Sequence, residues 1–341
     1  MHSGYRTVSY GATILDAEGL RLTADEKSLF READPYGFIL FGRNIADADQ
    51  VRALCTDFRE AVGREAIITV DQEGGRVQRL RAPLARNWLP ALDHVERAGD
   101  NAARAMYLRS RLIAHELNDL GIDSNCAPNL DLASEATHPF LRNRCYGSDA
   151  DVVSEIGRAV AEGFLQGGVL PVMKHMPGHG RSVQDSHVDL PRVSADLSEL
   201  DETDFAPFRA LRDLPMGMTA HLVFEAIGPT STTLSAEAIS TIRERIGFDG
   251  FLMTDDISMK ALSGDAAKNA VSAIAAGVDA VLFCNQPLSD RAAVAEAVGN
   301  MSPASLARAE AALAARKPPE ALDIEAAEAE LRRLMNGQVY D

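Results

Sequence analysis

The chain has 341 residues, 46% hydrophobic and 25% charged, so it can bury a large core and is not expected to be disordered. Asp and Glu number 50 against 34 Lys and Arg, which gives a formal net charge of −16. This charge disfavours nucleic acids and anionic membrane surfaces as partners. A small neutral or weakly charged substrate is the better expectation.

The sequence opens without a basic segment followed by an apolar one, and it contains no run of about 20 apolar residues. We therefore expect a cytoplasmic protein that does not span a membrane. The cysteines are far apart and form no CxxC motif, so reduced, buried thiols are expected rather than disulfides or a zinc site. They are Cys55, Cys126, Cys145 and Cys284.

Eight short apolar, strand-like runs alternate with amphipathic helical segments along the chain. The predicted strands are residues 5–12, 37–42, 66–71, 121–128, 169–175, 215–222, 250–256 and 279–284. The predicted helices are residues 23–32, 48–61, 101–120, 149–166, 197–212, 236–246, 265–276 and 289–298. Eightfold alternation predicts an α/β fold in which a parallel sheet closes into a (β/α)8 barrel of the TIM type.

Two more helical patterns, at residues 303–316 and 324–334, follow the last predicted strand. No linker rich in Pro, Gly and Ser divides the chain into halves. We therefore expect a single catalytic barrel domain over residues 1–341, with C-terminal helices at about 303–335 packed on the barrel.

Polar residues stand at the ends of five predicted strands, where (β/α)8 barrels place their active sites. These residues are Asp71, Asn129, Asp131, Lys174, His175, His221, Asp255 and Asp256. A single Asp after a strand is often a turn former or a helix N-cap. Five coincident strand ends indicate an active site.

The loop after the fifth predicted strand, residues 176–196, has about twenty residues and no clear helix or strand, which is typical of a functional loop. Gly178 and Gly180 predict a tight bend around His179. Asp185 and His187 are two residues apart, so in an extended segment their side chains point the same way. The carboxylate can then orient the imidazole and favour its protonated form, as in an acid/base dyad.

A metal site is the main alternative for this histidine-rich loop. His175 and His179 are four residues apart, but Pro177 and Gly178 between them disfavour the helix that would bring them to one face. The first predicted strand also lacks the HxH pair of metal-dependent barrel hydrolases. We expect neither a metal nor another cofactor.

Four stretches, in this order, resemble the signature motifs of family 3 glycoside hydrolases, specifically the single-domain, NagZ-type β-N-acetylglucosaminidase branch. They are DQEGGRVQRL (71–80), NRCYGSD (143–149), KHMPGHG (174–180) with DSH (185–187), and MTDDISM (253–259). Met176 stands where the family often has Phe, and the pair Cys145 and Tyr146 replaces the more usual Ser and Phe. These differences concern the shape of the pocket.

The resemblance implies that Asp255 is the catalytic nucleophile, a choice that strand alternation leaves open between Asp255 and Asp256. It also implies that His187 is the general acid/base, with Asp185 as its partner. The implied sugar-binding residues are Asp71, Arg79, Arg144, Lys174 and His175. A histidine suits the acid role because its ordinary pKa of about 6.5 leaves it partly protonated near neutral pH.

The resemblance predicts a retaining exo-β-N-acetylglucosaminidase that acts on fragments from bacterial cell-wall recycling. The expected substrate is a terminal GlcNAc linked to 1,6-anhydro-N-acetylmuramic acid, with or without a peptide, and the enzyme is expected to be a monomer. One alternative is a phosphorylase that transfers the sugar to phosphate. The other is a catalytically silent sugar-binding barrel.

Overall fold

A computed structural model describes residues 9–135, 137–182 and 190–340. Eight parallel strands, β1 to β8, form the central sheet in the order β7-β6-β5-β4-β3-β2-β1-β8. A parallel bridge between Met253 and Ala280 brings β7 to β8 and nearly closes the barrel. The strands are Gly11–Leu15, Pro35–Leu40, Ile67–Val70, Ser124–Asn125, Leu170–Met176, Met216–Thr219, Phe251–Met253 and Val281–Phe283. The predicted (β/α)8 architecture is confirmed.

Helices surround this barrel and connect its strands. Helices α1 to α13 are Ala24–Ala33, Ala48–Val62, Ala91–Ala98, Ala102–Asp119, Pro139–Arg142, Ala150–Gln166, Leu197–Glu202, Ala206–Ala210, Ala236–Ser240, Ala266–Ala276, Leu288–Val298, Pro303–Ala315 and Ile324–Leu334. Several begin where the sequence places an acidic N-cap: the Asp47, Asp149 and Asp265 side chains each accept a hydrogen bond from a first-turn N–H. Within the described ranges, none of the helices combines the length and apolarity of a membrane span.

Two hydrophobic layers result from the strand alternation. Ile14 and Ile39 belong to the cluster that fills the barrel, whereas Leu15 and Phe38 belong to the cluster between the barrel and its helices. Because successive strand residues point to opposite faces, each strand supplies both layers.

Some element boundaries differ from the sequence prediction. The first strand is Gly11–Leu15 rather than residues 5–12, because this run is buried on both faces and shows no alternation. Positions 5–8 of that prediction lie outside the described residues. The helix predicted over 197–212 is split into α7 and α8, with Pro207 in the first turn of α8. Helix α3 was not predicted.

The last two helices contact different parts of the barrel. Helix α12 packs against β7, and the Tyr36 hydroxyl at the start of β2 donates to the Ala309 carbonyl at 3.1 Å. Helix α13 packs against α4, where Arg104 donates to both carboxylate oxygens of Glu330 at 2.9 Å.

The outer hydrophobic layer yields a stability prediction. The Phe38 ring is fully buried, 5.0 Å from the Phe30 ring and 4.1 Å from the Phe58 ring. We expect Phe38→Ala to lower the free energy of unfolding by about 3 to 5 kcal/mol, because it leaves a cavity among these rings. Urea unfolding measures this loss. Leu20→Ala is the control, since Leu20 is 42% exposed and its loss should stay within about 0.5 kcal/mol. Equal losses in the two variants would contradict the assignment of Phe38 to the core.

Candidate active site

The polar strand ends converge on a cavity of about 330 Å³ at the carboxyl end of the barrel. Its lining includes six of the predicted site residues, namely Asp71, Arg79, Arg144, Lys174, His175 and Asp255. The other two, Asp185 and His187, lie outside the described residues. His179, which the sequence placed in a bend, also lines this cavity.

Lys174, on β5, is the most buried charged group of the cavity, with 2% of its side chain exposed. Its ammonium lies 2.9 Å from Asp71 Oδ1 and 2.6 Å from Glu73 Oε1. Arg79 donates to the other Asp71 oxygen at 2.8 Å. Although burial acts to raise the pKa of Asp71 and to lower that of Lys174, the opposite charges prevail, so the carboxyl has a lowered pKa and the ammonium a raised one. Both groups are therefore charged at neutral pH.

Glu73 is the central residue that the sequence prediction missed. Arg144 donates to both of its carboxylate oxygens, at 2.9 and 2.8 Å. Burial acts to raise the pKa of Glu73, but Arg144 and Lys174 lower it to about 2. The available signal was its position two residues after Asp71 in DQEGG, which puts both carboxylates on one side of an extended segment.

A short antiparallel hairpin, Gln72–Gly74 with Val77–Gln78, brings Asp71 and Arg79 to the cavity and places Glu73 against Lys174 and Arg144. We call residues 71–79 the β3 hairpin. Gly74 has a φ of +110°, and an added Cβ would lie 1.9 Å from Arg109 Nη2 and 2.7 Å from the Leu89 carbonyl oxygen. Only glycine fits this position. The fully buried Arg109 in turn donates to the Glu73 carbonyl oxygen and so helps to hold the hairpin in place.

Asp131, after β4, orients His175 on β5 and His179 in the loop that follows. Its carboxylate lies 2.7 Å from His175 Nδ1 and accepts the backbone N–H of His179, also at 2.7 Å. Burial acts to raise the pKa of Asp131, but the net shift is downward because of His175 and these bonds. Arg144 Nη2 lies 3.4 Å from His175 Nε2. Because a guanidinium only donates, Nε2 is assigned as the acceptor and Nδ1 as the protonated nitrogen of His175.

His179 and His221 are both buried in the site. Burial lowers the pKa of His179 to about 4, and it also lowers the pKa of His221. His221 Nδ1 lies 2.8 Å from Thr233 Oγ1, and Nε2 lies 3.0 Å from the Asp256 carbonyl oxygen. Both ring nitrogens of His221 are therefore occupied by protein partners.

Asp255 and Asp256, after β7, have different surroundings. Asp255 Oδ1 accepts the Asp256 N–H at 2.8 Å. Burial acts to raise the pKa of Asp255, but His221, His175, this N–H and Lys174 together lower it. Asp256 Oδ1 instead accepts the Ser258 N–H at 3.0 Å, and Oδ2 accepts the Ser258 hydroxyl at 2.8 Å. Both aspartates line the cavity, but both oxygens of the Asp256 carboxylate accept hydrogen bonds from Ser258, whereas Asp255 is bonded through Oδ1 to the Asp256 N–H.

The chemistry of these residues suits a polar, uncharged ligand. Asp71 and Glu73 carry two negative charges against the three positive charges of Lys174, Arg79 and Arg144, and all five groups are paired within the site. They still offer lone pairs and N–H groups to hydroxyls. Among the described residues, no three His, Cys, Asp or Glu side chains are grouped to hold a metal ion. The four cysteines are buried free thiols, as the sequence predicts.

Comparison with known proteins gives the family. Residues 12–315 match the glycosyl hydrolase family 3 N-terminal domain. A protein of Methylococcus capsulatus named Beta-hexosaminidase is 37% identical over 302 residues, which cover 86% of this chain and 89% of that protein. A protein of Alkalilimnicola ehrlichii with the same name is 38% identical over 285 residues, or 81% of each chain.

Solved structures agree with this assignment. NagZ from Neisseria gonorrhoeae, in complex with N-trifluoroacetyl-D-glucosamine, has a TM-score of 0.78 at 28% identity, and the match covers 96% of this chain and 99% of that one. A family 3 β-N-acetylglucosaminidase from Paenibacillus sp. str. FPU-7 has a TM-score of 0.85 at 29% identity, over 95% of this chain and 66% of that longer one. The chain therefore belongs to glycosyl hydrolase family 3, and it is a glycoside hydrolase of the NagZ-like β-hexosaminidase type.

Proposed function

We propose that the protein is a retaining exo-β-N-acetylglucosaminidase of cell-wall recycling. It removes a terminal GlcNAc that is β-1,4-linked to 1,6-anhydro-N-acetylmuramic acid, with or without a peptide. The observation that carries the proposal is a cavity-lining Asp255 with a lowered pKa, in the same cavity as the ion-paired side chains Asp71, Arg79, Arg144 and Lys174. The NagZ structure solved with an N-acylated glucosamine supports the choice of sugar.

The non-reducing sugar binds to the group formed by Asp71, Arg79, Arg144, Lys174 and His175. Each oxygen of Asp71 accepts one cationic donor and keeps a lone pair for a hydroxyl proton. Because Lys174 is held on two sides, its third N–H is fixed in direction. A preorganised group of this kind orients the ring for attack without further loss of entropy.

Asp255 is the nucleophile in this proposal. Its carboxylate attacks the anomeric carbon while the bond from that carbon to the leaving oxygen breaks, which gives a covalent glycosyl-aspartate. Water then attacks the same carbon and releases the sugar and the free carboxylate. The lowered pKa of Asp255 supports this role, since the attacking group must be ionised.

The proton donor is His187, with Asp185 as its partner, both assigned from the sequence motif. His175, His179 and His221 are poor candidates, which narrows the choice among the described histidines near the cavity to His138. His175 directs its N–H to Asp131, His179 has a pKa of about 4, and both nitrogens of His221 are engaged. His187 gives its proton to the leaving oxygen in the first step and recovers one from water in the second.

The reaction type, the cellular location, the oligomeric state and the domain organisation remain predictions, and each has a direct test. Analysis of the products in phosphate buffer distinguishes hydrolysis from phosphorolysis, because only a phosphorylase forms GlcNAc-1-phosphate. Absence of any turnover would favour the silent sugar-binding barrel. Cell fractionation tests the cytoplasmic location, sedimentation tests the monomer, and limited proteolysis tests a single domain over residues 1–341.

Substrate choice gives the first functional prediction. We expect the aryl β-glycoside of GlcNAc to be cleaved at least about 100-fold faster, in kcat/KM, than that of glucose, because glucose leaves the donors for the acetamido group unpaired. Identification of the released sugar measures this ratio. Comparable rates would indicate a β-glucosidase. EDTA should change neither rate, and a loss that zinc restores would revive the metal alternative.

The two neighbouring aspartates give the second functional prediction. Asp255→Ala should lower kcat by about 10⁴-fold or more while the protein remains folded, since no carboxylate is left to form the intermediate. A slow fluorinated glycoside should label Asp255, as peptide mass spectrometry detects. Asp256→Ala is the matched control and should lose less activity. A label on Asp256, or an active Asp255→Ala variant, contradicts the assignment.

The proposed acid gives the third functional prediction. His187→Ala should lose much more kcat/KM on a disaccharide than on a nitrophenyl glycoside, because a nitrophenolate leaves with little help from an acid. Asp185→Ala should show a milder form of the same pattern. His179→Ala is the control and should affect both substrates alike. If His187→Ala leaves the ratio between the two substrates unchanged, the acid is another residue.

A further inference from the structure

Arg86 joins the C-terminal helix α13 to the segment that follows the β3 hairpin. Its Nε donates to Glu328 Oε1, on α13, at 2.7 Å. Its Nη1 donates to Glu116 Oε1, on α4, at 2.5 Å, and its backbone N–H donates to the same oxygen at 2.9 Å. About a fifth of the Arg86 side chain is exposed, against 8% for Glu116. One guanidinium therefore ties three separate parts of the chain together.

From Arg86 the contacts lead directly to the sugar-binding residues. The Arg86 carbonyl oxygen accepts from Gln78 Nε2 at 2.6 Å, and Gln78 Oε1 accepts the Trp88 N–H at 3.1 Å. Gln78 is the last strand residue of the hairpin and precedes Arg79, whose guanidinium holds Asp71. One side chain, Gln78, therefore lies between the Arg86 backbone and the pair Arg79 and Asp71.

The tail after α13 supports the same segment at a second point. The Tyr340 ring lies edge-on to the Trp88 ring with centroids 5.3 Å apart, and the two backbones form an antiparallel bridge. The Trp88 carbonyl oxygen in turn accepts the Gly75 N–H, within the hairpin, at 2.8 Å. The family match covers residues 12–315, whereas Glu328 and Tyr340 lie after it.

We propose that Glu328 on the C-terminal helix is a positioning residue for sugar binding, which acts through Arg86 on the β3 hairpin. This inference rests on the proposed function, because it takes Asp71 and Arg79 as sugar-binding residues. They hold the sugar in both the ground state and the transition state. Loss of Glu328 therefore weakens binding of substrate and of free sugar without a comparable loss of kcat.

The test compares Glu328→Gln with Glu330→Gln in the full-length protein. Glu330 is the matched control, because it lies on α13 like Glu328 and pairs through both carboxylate oxygens with Arg104 of α4. In the described contacts it does not touch the segment that follows the β3 hairpin. We measure kcat and KM for the nitrophenyl glycoside of GlcNAc and the inhibition constant of free GlcNAc. For Glu328→Gln, KM and the inhibition constant should rise about fivefold while kcat stays within about twofold. Glu330→Gln should change none of the three.

A merely structural role of the ion pair predicts a different result. It would lower the Tm of both variants and leave KM unchanged in both, or shift KM equally, and either result overturns the proposal. Glu328→Asp keeps a carboxylate and should restore KM to within about twofold of wild type. If Glu328→Gln does not fold, Arg86→Lys gives the same comparison, because a lysine cannot bridge Glu328 and Glu116 as a fork.

Failure of the proposed function is recognised separately, in the wild-type protein. A wild-type enzyme that does not release GlcNAc contradicts that function before any variant is compared. The variants are then compared with the sugar that the wild type does release. In that case the inference about Glu328 is still tested by whether KM rises in Glu328→Gln but not in Glu330→Gln.

Discussion

The buried Lys174 ammonium constrains the rest of the active site. Removing an ammonium from water costs several kcal/mol, which a protein recovers only with close counter-charges in good geometry. Asp71 and Glu73 supply these charges from the β3 hairpin, at 2.9 and 2.6 Å. Strand β5 and the hairpin after β3 must therefore meet in one arrangement. Loss of a single partner would leave an uncompensated buried charge at a cost of about 3 to 5 kcal/mol.

The contacts that begin at Lys174 continue through Glu73 and Arg144 to His175. Glu73 also binds Arg144, which faces His175, whose other nitrogen is held by Asp131. The lowered pKa of Glu73 means that its contribution to stability is complete above its ordinary pKa of 4.5 and is lost as the pH falls toward about 2. Glu73 is therefore ionised at neutral pH. In the proposed function, this fixed arrangement orients the sugar.

The two halves of the proposed chemistry depend on different environments. Asp255 stays ionised inside the cavity because neighbouring groups offset its burial, which suits a nucleophile. In the proposal, the proton comes instead from His187, which the sequence motif places in the loop after β5.

The sequence by itself determined the barrel and the set of strand ends that line the cavity, because strand periodicity and helix caps are local properties. It also identified six cavity residues through motifs. Only the tertiary structure decided which charges pair, as Glu73 with Lys174 and Arg144 shows, since these residues are about 70 to 100 positions apart. It likewise decided the surroundings of Asp255, because His221, His175 and Lys174 approach it from other parts of the barrel, whereas the choice of Asp255 as nucleophile came from the motif. Asp185 and His187 lie outside the described residues and remain sequence predictions. The boundary of β1 depends on burial of both faces, which the local pattern does not contain, whereas the proline at the start of α8 was visible in the sequence.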